Sequence, residues 1–371
     1  MKKIIGYRLF ALLYRIGSCF YKLDSNSFFC VMTHDGSDES SVGVVISALR
    51  EKNPDAEFVC IKKENKNKKA FFDFMLKKPL QMAKAGTILM DNEFLPLGFI
   101  HLRKNVKVVQ LWHGTGTVKK FGHDVNEGKM LKILEKADKQ ITHLIVNSKY
   151  TERLYAQVFG VDSQKVYLTG IPRTDILFNA EKFDIMKSGF WRDYPQLEGK
   201  KLILYAPTFR DQEVDNPKMM LDLQKWLHSV ADDTVLMLRL HPFVSGRFKS
   251  ESEAQYGGRI IDMSSYPELN TLLSVSDVLI TDYSSIIFEY IVFNRPIIFY
   301  AYDLERFESS DRGFYENYRE YVPGIVVSDT EGIINAINGQ DEYSDKRKYF
   351  YDDAYEYKDG KSTERLLKLL L

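Results

Sequence analysis

Short apolar runs recur along the chain at nearly even spacing. From residue 28 they fall at Phe28–Thr33, Glu57–Ile61, Thr87–Met90, Val106–Leu111, His143–Val146 and Lys165–Leu168. Stretches with helical periodicity lie between several of them, for example Ser41–Lys52 and Lys149–Phe159. Strands alternating with helices predict a parallel sheet covered on both faces. A polar, mixed stretch, Asn179–Lys201, reads as a connection, and the alternation then resumes at Leu202–Ala206, Val235–Leu240, Arg259–Asp262, Val278–Thr281, Pro296–Tyr300 and Ile325–Val327. The tail ends in an amphipathic helix, Thr363–Leu371. The pattern predicts an α/β protein of two doubly wound, Rossmann-like domains, residues 25–180 and 181–371, facing one another across a cleft. In such sheets ligands sit beyond the carboxyl ends of the strands.

Residues 1–24 follow a different pattern. Ile4, Ile5, Leu9, Phe10, Leu12, Leu13, Tyr14, Ile16 and Phe20 are interspersed with Lys2, Lys3, Arg8, Arg15 and Lys22, and no acid precedes Asp24. Arg8, Arg15 and Lys22 are seven apart, so a helix stacks them on one face. An apolar body with a cationic stripe predicts an amphipathic helix lying in a membrane interface. The competing reading is a helix packed on the protein's own core. No run approaches the roughly 20 apolar residues of a spanning helix, and no signal-peptide cleavage pattern is evident.

Composition narrows the classes. Of 371 residues, 44% are hydrophobic and 27% charged, enough for ordinary globular cores. The 51 basic and 51 acidic residues cancel, which argues against a dedicated nucleic-acid binder. Cys19, Cys30 and Cys60 match no metal-ligand spacing and read as buried thiols in a reducing compartment. The charge-rich run Lys62–Lys69 reads as a solvated loop.

Four motifs carry candidate chemistry, each just after a predicted strand. In Gln110-Leu111-Trp112-His113-Gly114-Thr115-Gly116, a histidine follows a buried strand and precedes a glycine-rich turn. A neutral imidazole there is suited to accept a proton from an acceptor hydroxyl. Gly114 and Gly116 allow close backbone approach to a ligand. Lys119 and Lys120 follow and suit an anionic acceptor, or form a plain solvated pair. In Tyr205-Ala206-Pro207-Thr208-Phe209-Arg210, a proline turn delivers the Thr208 hydroxyl and the Arg210 guanidinium, a phosphate-recognising pair. In Arg239-Leu240-His241-Pro242, Arg239 and His241 share one side of a strand and suit a pyrophosphate. In Thr281-Asp282-Tyr283-Ser284-Ser285, a strand runs into a helix whose expected caps are Ser284 and Ser285. The free N–H groups of a helix start bind phosphate. Asp282 suits a hydroxyl or sugar edge, and Glu289, one turn on, a ribose or base. The loop Asp311-Arg312-Gly313-Phe314 suits a cover over the donor.

These motifs, in this order, resemble the CDP-glycerol glycerophosphotransferase family of teichoic acid synthesis. Pro296-Ile297-Ile298-Phe299-Tyr300, Tyr302-Asp303-Leu304, Arg312-Gly313-Phe314 and Pro323-Gly324 extend the likeness over residues about 106 to 327. The resemblance implies a glycosyltransferase-B-like fold. It also implies transfer of glycerol phosphate, or ribitol phosphate, from CDP-glycerol or CDP-ribitol to a lipid-linked saccharide acceptor of the undecaprenyl-diphosphate type. The work would be done peripherally on the cytoplasmic face of the membrane, with release of CMP. It puts His113 in the role of catalytic base, and His241, Thr208, Arg210, Arg239, Ser284 and Ser285 around the donor pyrophosphate. The loop Thr33-His34-Asp35-Gly36 departs from the form of the polymerases, and the Trp112–Gly122 run looks more like the primase-type members. No dedicated carboxylate cage for Mg²⁺ is evident, so the expectation is no cofactor, with protein donors in place of a metal and Mg²⁺ as the alternative. Two rivals stand beside this reading: a CMP-sugar glycosyltransferase of the same fold, and a non-catalytic membrane scaffold.

Overall fold

The computed structural model describes residues 2–62, 68–208, 210, 219–240 and 256–371. The chain divides into two compact units. The first comprises Met1–Thr115, Phe121–Phe178 and Asp353–Leu371, and the second Gly116–Lys120 and Asn179–Asp352. The C-terminal segment thus belongs to the first unit rather than to the second, where the linear pattern put it.

The first unit holds six parallel strands: β1 (Asp24–Met32), β2 (Glu57–Lys62), β3 (Ala85–Met90), β4 (Lys107–Gln110), β5 (His143–Val146) and β6 (Val166–Leu168), in the order β2-β1-β3-β4-β5-β6. The second holds β7 (Lys201–Tyr205), β8 (Thr234–Leu238), β9 (Ile260–Asp262), β10 (Val278–Thr281), β11 (Ile297–Tyr300) and β12 (Ile325–Val327), in the order β12-β11-β10-β7-β8-β9. Every predicted run is a strand. Ala85–Met90, Leu202–Tyr205 and Thr234–Leu238 are buried at each position, as a parallel sheet covered on both faces requires. Strand order reverses between β1 and β3 in the first sheet and between β7 and β10 in the second. Those two points are where ligand crevices open in this architecture.

The C-terminal helix, Ser362–Leu370, shows why the tail joins the first unit. Leu366, Leu367 and Leu370 are buried with Val45, Leu49 and Val109 in the first unit's core. Burying each leucine contributes roughly 1.5–3 kcal/mol. Asp175 accepts from the amides of Ser362 and Thr363, each at 2.8 Å, and so caps the helix start. Lys107 Nζ donates to the carbonyls of Leu369 and Leu370 at 3.0 and 2.6 Å, which favours the negative end of the helix. The expected connection Asn179–Lys201 contains a 14-residue helix, Ala180–Asp193, with Asn179 as its cap. Its scattered apolar positions concealed the helical period.

The N-terminal helix, Lys2–Phe20, packs one face on its own unit. Phe10 meets Phe74 and Phe94 with ring centroids 5.4 and 5.7 Å apart. A Cβ added at Gly17 would lie 2.9 Å from that of Ala83, so glycine permits the close approach there. The opposite stripe, Ile5, Leu9, Leu12, Ile16 and Phe20, is exposed, with Phe20 at 80%. Phe71 and Phe72 are exposed as well. Among the described residues no helix is long and apolar enough to cross a membrane. Cys19 is exposed rather than buried as expected, Cys30 is buried and Cys60 intermediate. Most of the run Lys62–Lys69 lies outside the described residues.

Candidate active site

In the first unit the candidate residues gather at the carboxyl ends of β1, β3 and β4. The chain leaves β4 through Trp112, which adopts a φ of 54°, a left-handed conformation that a bulky residue holds only when its surroundings enforce it. The enforcement is local. The buried Gln110 side chain accepts from the Trp112 amide at 2.9 Å, and the Trp112 indole stacks on Phe121 and meets Phe159 edge-on. This bend delivers His113. Its Nδ1 lies 3.0 Å from the Asp91 carbonyl oxygen. A carbonyl can only accept, so Nδ1 carries the hydrogen and Nε2 of the neutral ring is left as an acceptor.

Asp91 also holds the loop after β1. Its carboxylate accepts from the amides of Thr33 at 3.0 Å, His34 at 3.3 Å and Asp35 at 3.1 Å. Burial raises the Asp91 pKa, against the pull of those amides. The His34 ring lies face to face with His113, centroids 3.8 Å apart and planes 11° from parallel. Asp91 was not singled out from sequence, and His34 was named there only within the loop Thr33-His34-Asp35-Gly36, without a role. The signal available was a polar residue directly after β3 and a polar pair, Thr33-His34, directly after β1. Arg173 was missed too. Its guanidinium comes within 3.5 Å of the Thr115 hydroxyl, two residues from His113. Gly114 is buried in this turn.

Gly116 does something other than admit a ligand. A Cβ there would lie 2.3 Å from the Phe288 ring, so the glycine serves packing within the second unit. Lys119 and Lys120 also belong to that unit. Their backbone pairs with the loop at Gly313–Tyr315, Lys120 donating to Gly313 at 3.1 Å and Lys119 bridging Phe314. This strand-like pairing places the segment in the second unit. The same pairing gives the loop around Gly313 a structural partner.

In the second unit, the motifs after β7 and β10 meet at the point of strand reversal. Asp282 Oδ1 accepts from the amides of Thr208 at 2.8 Å and Tyr283 at 2.6 Å. Its other oxygen is 2.8 Å from Arg210. Arg210 is not the open phosphate fork expected from sequence. Its Nε and Nη2 form a bidentate pair with Asp303 at 2.9 Å each, and Nη1 donates to the Thr208 carbonyl at 2.7 Å. The rings of Tyr283 and Tyr302 lie 4.9 and 5.3 Å from its Cζ. Burial would ease its proton off, but the hydrogen bond with Asp303 and the field of Asp282 outweigh it and raise the pKa. Burial likewise pushes Asp303 up, yet the Arg210 hydrogen bond wins and holds it below the usual carboxylate range. A charge this deeply buried must be paired, and two carboxylates consume the fork. Asp303 was named from sequence only in the family likeness of Tyr302-Asp303-Leu304, without a role.

Arg239 differs from expectation in the same way. Its Nη1 donates to the carbonyls of Met263, Ser264 and Tyr266, bracing the turn after β9. Ser284 and Ser285 do not cap the following helix. That helix, Ile287–Tyr290, starts after Ile286 with no side-chain cap, and the Ser284 hydroxyl accepts instead from the Ile286 amide at 3.3 Å. Both serines are partly exposed, beyond the end of β10, and Glu289 is buried within the short helix. The Thr208 hydroxyl is buried without a hydrogen-bond partner among the described residues, a state that asks for a ligand. His241 lies outside the described residues.

Two doubly wound α/β units, each with polar motifs at its strand-reversal point, define the class. The sequence model of CDP-Glycerol:Poly(glycerophosphate) glycerophosphotransferase matches residues 13–371, and the chain belongs to that transferase family. It is 35% identical over 328 residues to the teichoic acid poly(ribitol-phosphate) polymerase of Bacillus spizizenii, covering 86% of this chain and 51% of that protein. It is 32% identical over 329 residues to the teichoic acid glycerol-phosphate primase of Bacillus subtilis, covering 87% of this chain and 82% of the primase. The chain therefore spans about half the length of that polymerase, 51%. The fold is similar to that of the wall teichoic acid polymerase TagF, with a TM-score of 0.81 at 22% identity, covering 98% of this chain and 92% of that one.

Proposed function

We propose that the protein transfers glycerol phosphate or ribitol phosphate from a CDP-polyol to a lipid-linked saccharide acceptor and releases CMP. The observation that carries this reading is the His113–Asp91 contact, which leaves Nε2 of a neutral imidazole as a proton acceptor at a strand-reversal point. The acceptor hydroxyl attacks the phosphorus bearing the polyol. A new P–O bond forms, the bond to the CMP oxygen breaks, and the hydroxyl proton passes to Nε2. Such transfers depend on positioning and on charge stabilisation. Membership of the family supports the CDP-polyol donor, as does the TagF variant whose crystals were soaked with CDPG.

On the donor side, the hydroxyls of Thr208, Ser284 and Ser285 face the pyrophosphate, with His241 as the cationic group. Asp282 orders the turn that presents them. Arg210 and Arg239 act behind them as braces. The exposed stripe of the N-terminal helix, flanked by the exposed Arg8 and Arg15, seats the protein peripherally on an anionic cytoplasmic membrane surface.

The test is mass spectrometry of products from CDP-glycerol, CDP-ribitol and a CMP-sugar, each with a lipid-linked disaccharide acceptor. A polyol-phosphate adduct and CMP are expected from a CDP-polyol. Turnover of the CMP-sugar alone would overturn the reading in favour of a glycosyltransferase.

A further inference from the structure

We propose that His34 is a positioning residue for His113. This rests on the reading of His113 as the base. The contact with the Asp91 carbonyl fixes one ring nitrogen of His113 and the direction of its N–H bond. The Trp112 ring also packs on His113, centroids 4.1 Å apart and planes tilted by 31°, and a swing about the Nδ1–oxygen axis would sweep Nε2 out of line with an attacking hydroxyl. The His34 ring adds a face-to-face restraint. It lies parallel to His113 within 11°, at 3.8 Å between centroids, so it fixes the plane where the hydrogen bond fixes a point.

The restraint is itself held. The amides of Thr33, His34 and Asp35 all donate to the Asp91 carboxylate. One residue therefore grips both members of the stack, its carboxylate holding the His34 loop and its carbonyl holding the His113 ring. β1 and β3 are adjacent strands, so the two grips are set by the sheet.

Two variants and two readouts test this. His34→Ala removes the plate, and His34→Phe keeps an aromatic face without the imidazole nitrogens. The first readout is the ring ¹⁵N spectrum of histidine-labelled protein, with the His113 signals assigned by their loss in His113→Gln. The native protein should show a single Nδ1–H tautomer. His34→Ala should broaden it or mix the tautomers, and His34→Phe should restore it. This readout needs no substrate, so it stands or falls apart from the proposed reaction. The second is turnover of the CDP-polyol. His34→Ala should lower kcat by about 10- to 100-fold with KM for the donor little changed, the scale of loss when a reacting group is misplaced by about an ångström. His34→Phe should recover most of that loss. Unchanged His113 signals and kcat in His34→Ala would overturn the proposal. So would a folded His34→Phe as impaired as His34→Ala. Should His34→Ala not fold, His34→Gln, which is polar but not aromatic, takes its place with the same expectations.

Discussion

His113 Nδ1 and the Asp91 carbonyl oxygen are 3.0 Å apart, and that contact leaves Nε2 as the nitrogen that can take a proton. His113→Ala should lower turnover by about 10²–10⁴, the usual contribution of a general base. Donor affinity, measured by calorimetry, should stay near the native value, because a neutral base holds no phosphate. Near-normal CMP release from the variant would remove His113 from the mechanism.

Asp303→Asn should destabilise the second unit. It leaves the buried Arg210 short of the carboxylate that takes both Nε and Nη2. Breaking a buried pair from one side costs about 3–5 kcal/mol. Asp303→Glu should lose less than Asp303→Asn, since it keeps a carboxylate for the guanidinium. Chemical denaturation of the three proteins measures this. A loss below about 1 kcal/mol in Asp303→Asn, the scale of an exposed pair, would mean that Arg210 is not held as described.

His123 and Asp138 make stability depend on pH. Nε2 of His123 is 2.9 Å from Asp138 Oδ2. The hydrogen bond to Asp138 raises the His123 pKa, while burial raises that of Asp138 against the pull of the imidazole. The folded state therefore holds the His123 proton more tightly than the unfolded chain. The stabilisation is complete below the ordinary imidazole value of about 6.5 and fades as pH rises through the folded value. The gap in denaturation midpoint between the native protein and His123→Gln should thus narrow from pH about 6 to about 8. A gap that widens over that range would contradict the sign.

Replacing Leu9, Leu12 and Ile16 by serine should release the protein from anionic vesicles. All three are exposed, at 40%, 54% and 41%, so stability should change little. Co-sedimentation is the measurement, with activity on a soluble acceptor analogue as the control. Vesicle binding equal to that of the native chain would show that this stripe is not the membrane-seating surface.

All twelve strands were legible in the sequence, because runs such as Leu202-Ile203-Leu204-Tyr205 and Ile297-Ile298-Phe299-Tyr300 are apolar at every position. Only a strand buried on both faces satisfies such a run. The motifs at the strand ends were legible for the same reason, since a glycine, proline or polar residue must follow where the apolar run stops. The pairings were not. Arg210 and Asp303 are 93 residues apart, and nothing local says that a buried guanidinium will be neutralised by that carboxylate rather than by a phosphate. His34 reaches His113 only because β3 and β4 lie beside β1 in that order. The tail joins the first unit because Asp175 and Lys107 cap both ends of its helix over a leucine face. Local periodicity reports which surface of an element is buried, whereas desolvation decides which distant partner a buried charge must find.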